Sequence, residues 1–171
     1  LNNLKGGIFD GRYSIILHEF YGDKANSTIS FSEGIVQNGD DAHTDGTSSG
    51  IYAYGDTKIN NVTLKNASQE YLVATMMHET LHAYFIAHPP SPIITDRNSR
   101  DHNQMANDYV CIIADALSEL FPNLQYNDAI SLSWGGLGYT SAYTALSKGA
   151  KDTIESTNIN FKMGLNGTKC N

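Results

Sequence analysis

Cysteine is nearly missing from this sequence, with only Cys111 and Cys170 among 171 residues. At most one disulfide can form, and the chain is long enough to bury a core without staples. Neither cysteine has zinc-ligand spacing with a partner. Cys111 lies in an apolar helical run and reads as a buried small hydrophobe. A Cys111–Cys170 bridge tying down the C-terminus is the alternative in an oxidising compartment. Basic charge is scarce as well: 11 Lys and Arg against 18 Asp and Glu give a net charge of -7. A nucleic-acid groove needs a basic stripe, so no nucleic-acid partner is expected. Long apolar runs are absent too. None reaches the roughly 18 residues of a membrane span. The chain opens Leu1-Asn2-Asn3-Leu4, without a basic n-region, an apolar h-region or an initiator Met. It is therefore expected to be a mature or excised domain of a longer precursor, with residues 1–171 forming a single domain.

What is present describes a globular protein: 40% of residues are apolar and 17% charged, and the polar surface is rich in Asn, Ser, Thr and Gly. The first 65 residues read as strands and turns. Arg12 to Phe20 and Thr28 to Phe31 are rich in β-branched and aromatic residues. Gly34 to Gly50 is polar and Gly-rich and reads as a loop. Ile51 to Tyr54 and Lys58 to Leu64 read as a hairpin turned at Gly55-Asp56. The character changes at Asn66. Asn66 or Ser68 can cap a helix whose apolar positions Leu72, Val73, Met76, Met77, Leu81, Tyr84 and Phe85 recur at helical spacing. Pro89-Pro90 must end it. After a polar loop from Ser91 to Asp101, a second helix is expected from His102 to Leu120. A short helix is expected from Thr140 to Leu146. Strands first and helices afterwards predict an α+β fold.

The first helix contains His78-Glu79-Thr80-Leu81-His82. Histidines at i and i+4 share one helix face, so both imidazoles can reach one metal ion. Glu79 then stands beside the open coordination position, where it can take a proton from water. This is the HExxH pattern, and it predicts a zinc metallopeptidase with Glu79 as its catalytic base. A catalytic site needs a third protein ligand. His102 is preferred, because His102, Met105, Ala106 and Tyr109 share a face that must pack toward the first helix. His88 has the metzincin spacing but lacks the Gly that turns the chain there. Asp108 and Asp115 are further alternatives. Tyr109 is a candidate to stabilise a developing oxyanion, with a plain core role as the competing reading.

The segments MMHETLHAYF (76–85), His102-x-x-Met105-Ala106-x-x-Tyr109 and Ser133-Trp134-Gly135-Gly136-Leu137-x-x-Thr140 resemble a group of bacterial, largely Bacteroidetes, proteins. These are similar to SprT-like zincin peptidases and often form the C-terminal domain of secreted or toxin-like polypeptides. The resemblance covers about residues 70 to 146. It implies a zinc-peptidase-like fold, and the expected architecture is an α+β zincin-like domain in which an N-terminal mixed or antiparallel sheet packs on the HExxH helix and a smaller helical C-terminal part completes the cleft. It also implies that His78, His82 and His102 hold zinc. Many relatives carry an acidic residue after the third histidine, where this chain has Asn103. A secreted or cell-envelope location, and an immunity or inhibitor protein if this is a toxin domain, belong to the same expectation.

His18-Glu19 repeats the start of the motif without its second histidine and reads as a structural or surface pair on a strand. Asp40-Asp41-Ala42-His43-Thr44-Asp45 is rich in oxygen ligands but lacks EF-hand spacing, so a solvated loop is favoured over a calcium site. Trp134-Gly135-Gly136 reads as a tight turn packed on the core. Lys58 to Leu64 is a candidate edge for an extended peptide or protein substrate. Two rivals stand beside the peptidase reading. One is an antibacterial amidase or peptidase acting on peptidoglycan peptides. The other is a binding module whose zinc is closed by a fourth protein ligand.

Overall fold

A computed structural model of the chain describes residues 11–21, 25–50, 52–89 and 96–170. Its first element corrects an expectation: Arg12–Phe20 is a helix (α1), not a strand. The buried residues Tyr13, Ile16, Leu17 and Phe20 stand at i, i+3, i+4 and i+7, a helical period that outweighs their β-type composition. His18-Glu19 therefore lies on a helix, and Gly22 after it falls outside the described residues.

The strands follow as Ser27–Gly34 (β1), Ala42–Ser49 (β2) and Tyr52–Asn60 (β3), with a 3-10 turn at Gln37–Gly39. Their order is β1-β3-β2, so β3 is central, parallel to β1 and antiparallel to β2. Two more expectations change here. The polar stretch Gly34 to Gly50 is half strand, and Gly55-Asp56 sits inside the continuous β3 rather than at a turn. The hairpin turn lies one strand earlier. Ser49 pairs with Tyr52 and Gly50 adopts a φ of 62°, which glycine tolerates without strain; Ile51 is outside the described residues.

Gln69–Ala87 forms the long motif helix (α2), capped by Ser68, whose hydroxyl accepts from the Tyr71 N–H at 3.2 Å. It ends at His88, next to Pro89, as the sequence requires. Glu79, Ala83 and Ile86 form the stripe of α2 that meets the sheet. Opposite them stand Gly46 and Gly55, which are cross-strand partners. A Cβ on Gly55 would come within 2.8 Å of the Ala83 Cβ, and one on Gly46 within 2.5 Å of Ile86 Cδ1. Small and polar residues in β2 thus allow the helix to sit close, which is why β2 carries none of the usual strand hydrophobics.

The second expected helix begins five residues early. Arg97–Gln104 (α3) is followed without a break by a π turn at Met105–Tyr109 and then by Val110–Leu120 (α4). Of the loop expected before it, residues 91–95 are outside the described residues and residues 97–101 are helical. Tyr126–Ser133 (α5), the four-residue Ser141–Thr144 (α6) and Lys148–Lys162 (α7) complete the chain. The class is α+β with a small mixed sheet. Buried apolar side chains of α1, α2, the π turn, α4, α5 and α7 form one cluster, so α2 has the core on one flank and the sheet on the other. Cys111 is exposed, contrary to expectation, because it stands off the buried stripe of Val110, Ile113, Ala114 and Leu117; neither it nor Cys170 is paired. Among the described residues, no helix is long and apolar enough to cross a membrane.

Beyond α7 the chain returns to the start of α2. The Gln69 N–H donates to the Thr168 carbonyl at 2.8 Å. Glu70, nearly buried, accepts from the Thr168 N–H at 2.8 Å and from its hydroxyl at 2.7 Å. Burial alone would raise the Glu70 carboxyl, but these hydrogen bonds outweigh it and hold the group below its ordinary value. A carboxyl depressed in the fold stabilises it above the ordinary glutamate range and loses that effect as pH falls. Glu70→Gln is expected to lower stability by about 1 kcal/mol at neutral pH. The gap from wild type should close in acid. Chemical denaturation at both pH values checks this, and an unchanged neutral midpoint would contradict it.

Candidate metal centre

Helix α2 presents His78 and His82 one turn apart, and the last turn of α3 brings His102 to them. His78 Nε2 lies 3.0 Å and His82 Nε2 3.3 Å from His102 Nε2. An ion bound to imidazole nitrogens at about 2.0–2.1 Å with tetrahedral angles sets those nitrogens roughly 3.3 Å apart. The spacing therefore fits a shared ion.

The proton positions support the fit. His102 Nδ1 lies 2.8 Å from the Asn98 carbonyl, which can only accept, so Nδ1 carries the proton. His82 Nδ1 faces the buried Asp101 carboxylate at 3.5 Å, and the Gly135 backbone lies beside the His78 ring. His102 Nε2 is left as a bare lone pair, and the Nε2 atoms of His78 and His82 converge on it. Lone pairs at such distances repel unless a cation stands among them. Burial, followed by the neighbouring imidazoles, drives His78 well below its ordinary value and His102 down to about 4. Both are thus neutral at physiological pH, the state a ligand needs. Among the described residues these three form the one group of histidine, cysteine and carboxylate side chains placed to hold a metal ion.

Glu79 borders the same cleft, which has a volume of about 750 Å³. It is 6% exposed, and its Oε2 accepts from the Thr44 hydroxyl at 2.6 Å. Thr44 is itself 2.8 Å from the Thr57 hydroxyl across the sheet. Burial raises the Glu79 carboxyl above its ordinary value, while His82 and Thr44 pull it partly back. Asp101 shows the reverse balance. Burial would raise it, but hydrogen bonds from His82 and Arg100 prevail and keep it ionised, with Arg100 Nη2 at 2.7 Å.

The other candidates go elsewhere. His88 is bound to Glu19 at 2.9 Å. Asp108 accepts from Gln104, and Asp115 from the Tyr126 hydroxyl at 2.9 Å. Tyr109 does not line the cleft. The π turn between His102 and Tyr109 adds one residue, about 100° of helix rotation, and carries Tyr109 off the His102 face. Its ring packs edge-on against Phe85 at 5.5 Å. The tyrosine that reaches the cluster is Tyr139, whose hydroxyl contacts His102 Nδ1. Asn103 does not polarise His102; it accepts from the Ser141 N–H and hydroxyl at 3.2 Å. Asp41, taken as a possible calcium ligand, pairs with Lys162 at 2.7 Å and accepts from Tyr71 at 2.8 Å. Thr44, Asp101 and Tyr139 escaped the sequence reading. Asp101, directly preceding His102, was the one with a visible signal.

No protein-family model, curated protein or solved structure matches the chain. The likeness to SprT-like peptidases therefore rests on its motifs alone.

Proposed function

We propose that the chain is a zinc-dependent metallopeptidase of the HExxH type, with a zincin-like arrangement of edge strand, motif helix and cleft. The observation that carries this reading is the convergence of three imidazole Nε2 atoms beside a buried carboxylate in an open cleft. Three imidazoles without thiolate suit zinc, and three protein ligands leave a fourth position free, as in catalytic rather than structural sites. The pairing of His88 with Glu19 argues against a closed, purely structural centre.

When bound, zinc would polarise the scissile carbonyl and make a water acidic enough to ionise near neutrality. The chain's own groups supply the rest. His78, His82 and His102 fix the ion. Glu79 takes a proton from the attacking water and returns it to the leaving amine, and Thr44 holds that carboxylate in place. An extended substrate backbone would lie along β2, the strand that borders the cleft and is an edge strand among the described residues. The expected edge, Lys58 to Leu64, does not serve, since β3 is paired on both sides.

A peptide library incubated with zinc-loaded protein and read by mass spectrometry tests this. Cleavage that a chelator abolishes and added zinc restores is expected. A fully loaded protein that cuts no peptide overturns the peptidase reading.

A further inference from the structure

Two of the three histidines are held by a segment that lies far from them in sequence and contributes no ligand. In the turn after α5, the Gly135 backbone lies beside the His78 ring. Gly136, at a φ of 77°, lays its backbone against the same imidazole, and a Cβ there would come within 3.1 Å of His78 Cε1. Three residues later the Tyr139 hydroxyl contacts His102 Nδ1 and accepts from Asn98 Nδ2 at 3.2 Å. The segment is fastened at both ends: Ser141 donates to Asn103 on α3, and the Ser131 carbonyl accepts from Asn158 of α7 at 2.6 Å.

We propose that Gly135 to Tyr139 is a bracket that sets the affinity and geometry of the metal centre by fixing the rings of His78 and His102. This rests on the metal-centre reading above. Tyr139 acts through His102 and is a positioning residue. Its hydroxyl meets the ring nitrogen opposite the ligating one, so it helps to aim Nε2 and raises its basicity. Gly136 leaves no room for the His78 ring to turn away. Groups behind a ligating imidazole typically set metal affinity by about 10–100-fold.

Tyr139→Phe removes only the hydroxyl, and Tyr139 is 55% exposed, so folding is not at risk. Zinc affinity, measured by competition with a chelating dye, should fall about tenfold, and more for Gly136→Ala. The thermal midpoint of the metal-free Tyr139→Phe protein should match wild type. The visible spectrum of the cobalt-substituted protein should shift, a change that a purely structural tyrosine would not cause. Tyr126→Phe, which removes a hydroxyl bound to Asp115, should behave as wild type. Wild-type affinity and spectrum in Tyr139→Phe would overturn the bracket while leaving the metal centre intact. Failure of wild type itself to bind zinc or cobalt would overturn both.

Discussion

Glu79→Gln is expected to bind zinc as the wild type does and to lose about 10²–10⁴-fold in peptidase activity. The replacement keeps the shape of the side chain and an oxygen that can accept from Thr44. The amide cannot take a proton from water, so the general-base step is lost while the histidine cluster stays whole. The fold should tolerate the change, because burial already disfavours the charged form of Glu79 and the amide removes that charge from a nearly closed position. Zinc content and kcat/KM on a cleaved peptide are the two readouts. Activity within a few-fold of wild type, with zinc at full occupancy, would remove Glu79 from the mechanism.

The second large effect concerns the metal itself. Elemental analysis should find about one zinc per chain in wild type, and none after His78→Ala, His82→Ala or His102→Ala. His88→Ala should retain it, since His88 is engaged with Glu19 rather than with the cluster. Two imidazoles cannot replace three, because the ion loses both a bond and the geometry that the third ring imposes. A ligand that binds the folded state alone stabilises by about 4 kcal/mol at 1,000 times its dissociation constant. Chelation should therefore lower the thermal midpoint of wild type and leave that of His102→Ala unchanged. Retention of zinc in His102→Ala, or its loss in His88→Ala, would assign the third ligand differently.

The motif helix was legible because everything that makes it is local. Ser68 caps it, apolar residues recur at its own period, Pro89 stops it, and residues four apart share a face. His78, Glu79 and His82 could thus be placed on one helix and given roles without any contact from elsewhere. His102 could be preferred on a weaker argument, the shared face with Met105 and Ala106, and both of those prove buried. The same argument failed for Tyr109, because it assumed a regular helix through residues 105–109. The π turn joins α3 to α4 within one helical run, and no residue type announces it.

Strand β2 failed to show for a related reason. Its sequence, AHTDGTSS, looks like a loop by composition. It is a strand because β3 pairs with it and because α2 sits close enough to require Gly and Thr rather than Val and Ile. What the sequence by itself determined, then, is the placing of His78, Glu79 and His82 on one helix, with the α+β class around them. The third ligand's approach, the Thr44 contact to Glu79, the Asp101 partner of His82 and the hold of Gly135 to Tyr139 on two imidazoles were decided by tertiary structure. The physical division is one of range. A helix closes its hydrogen bonds four residues apart and can be read from a short window. The candidate metal centre is assembled from groups of α2 and α3 with the edge strand and the turn after α5 around them, and their meeting depends on the packing of the whole core.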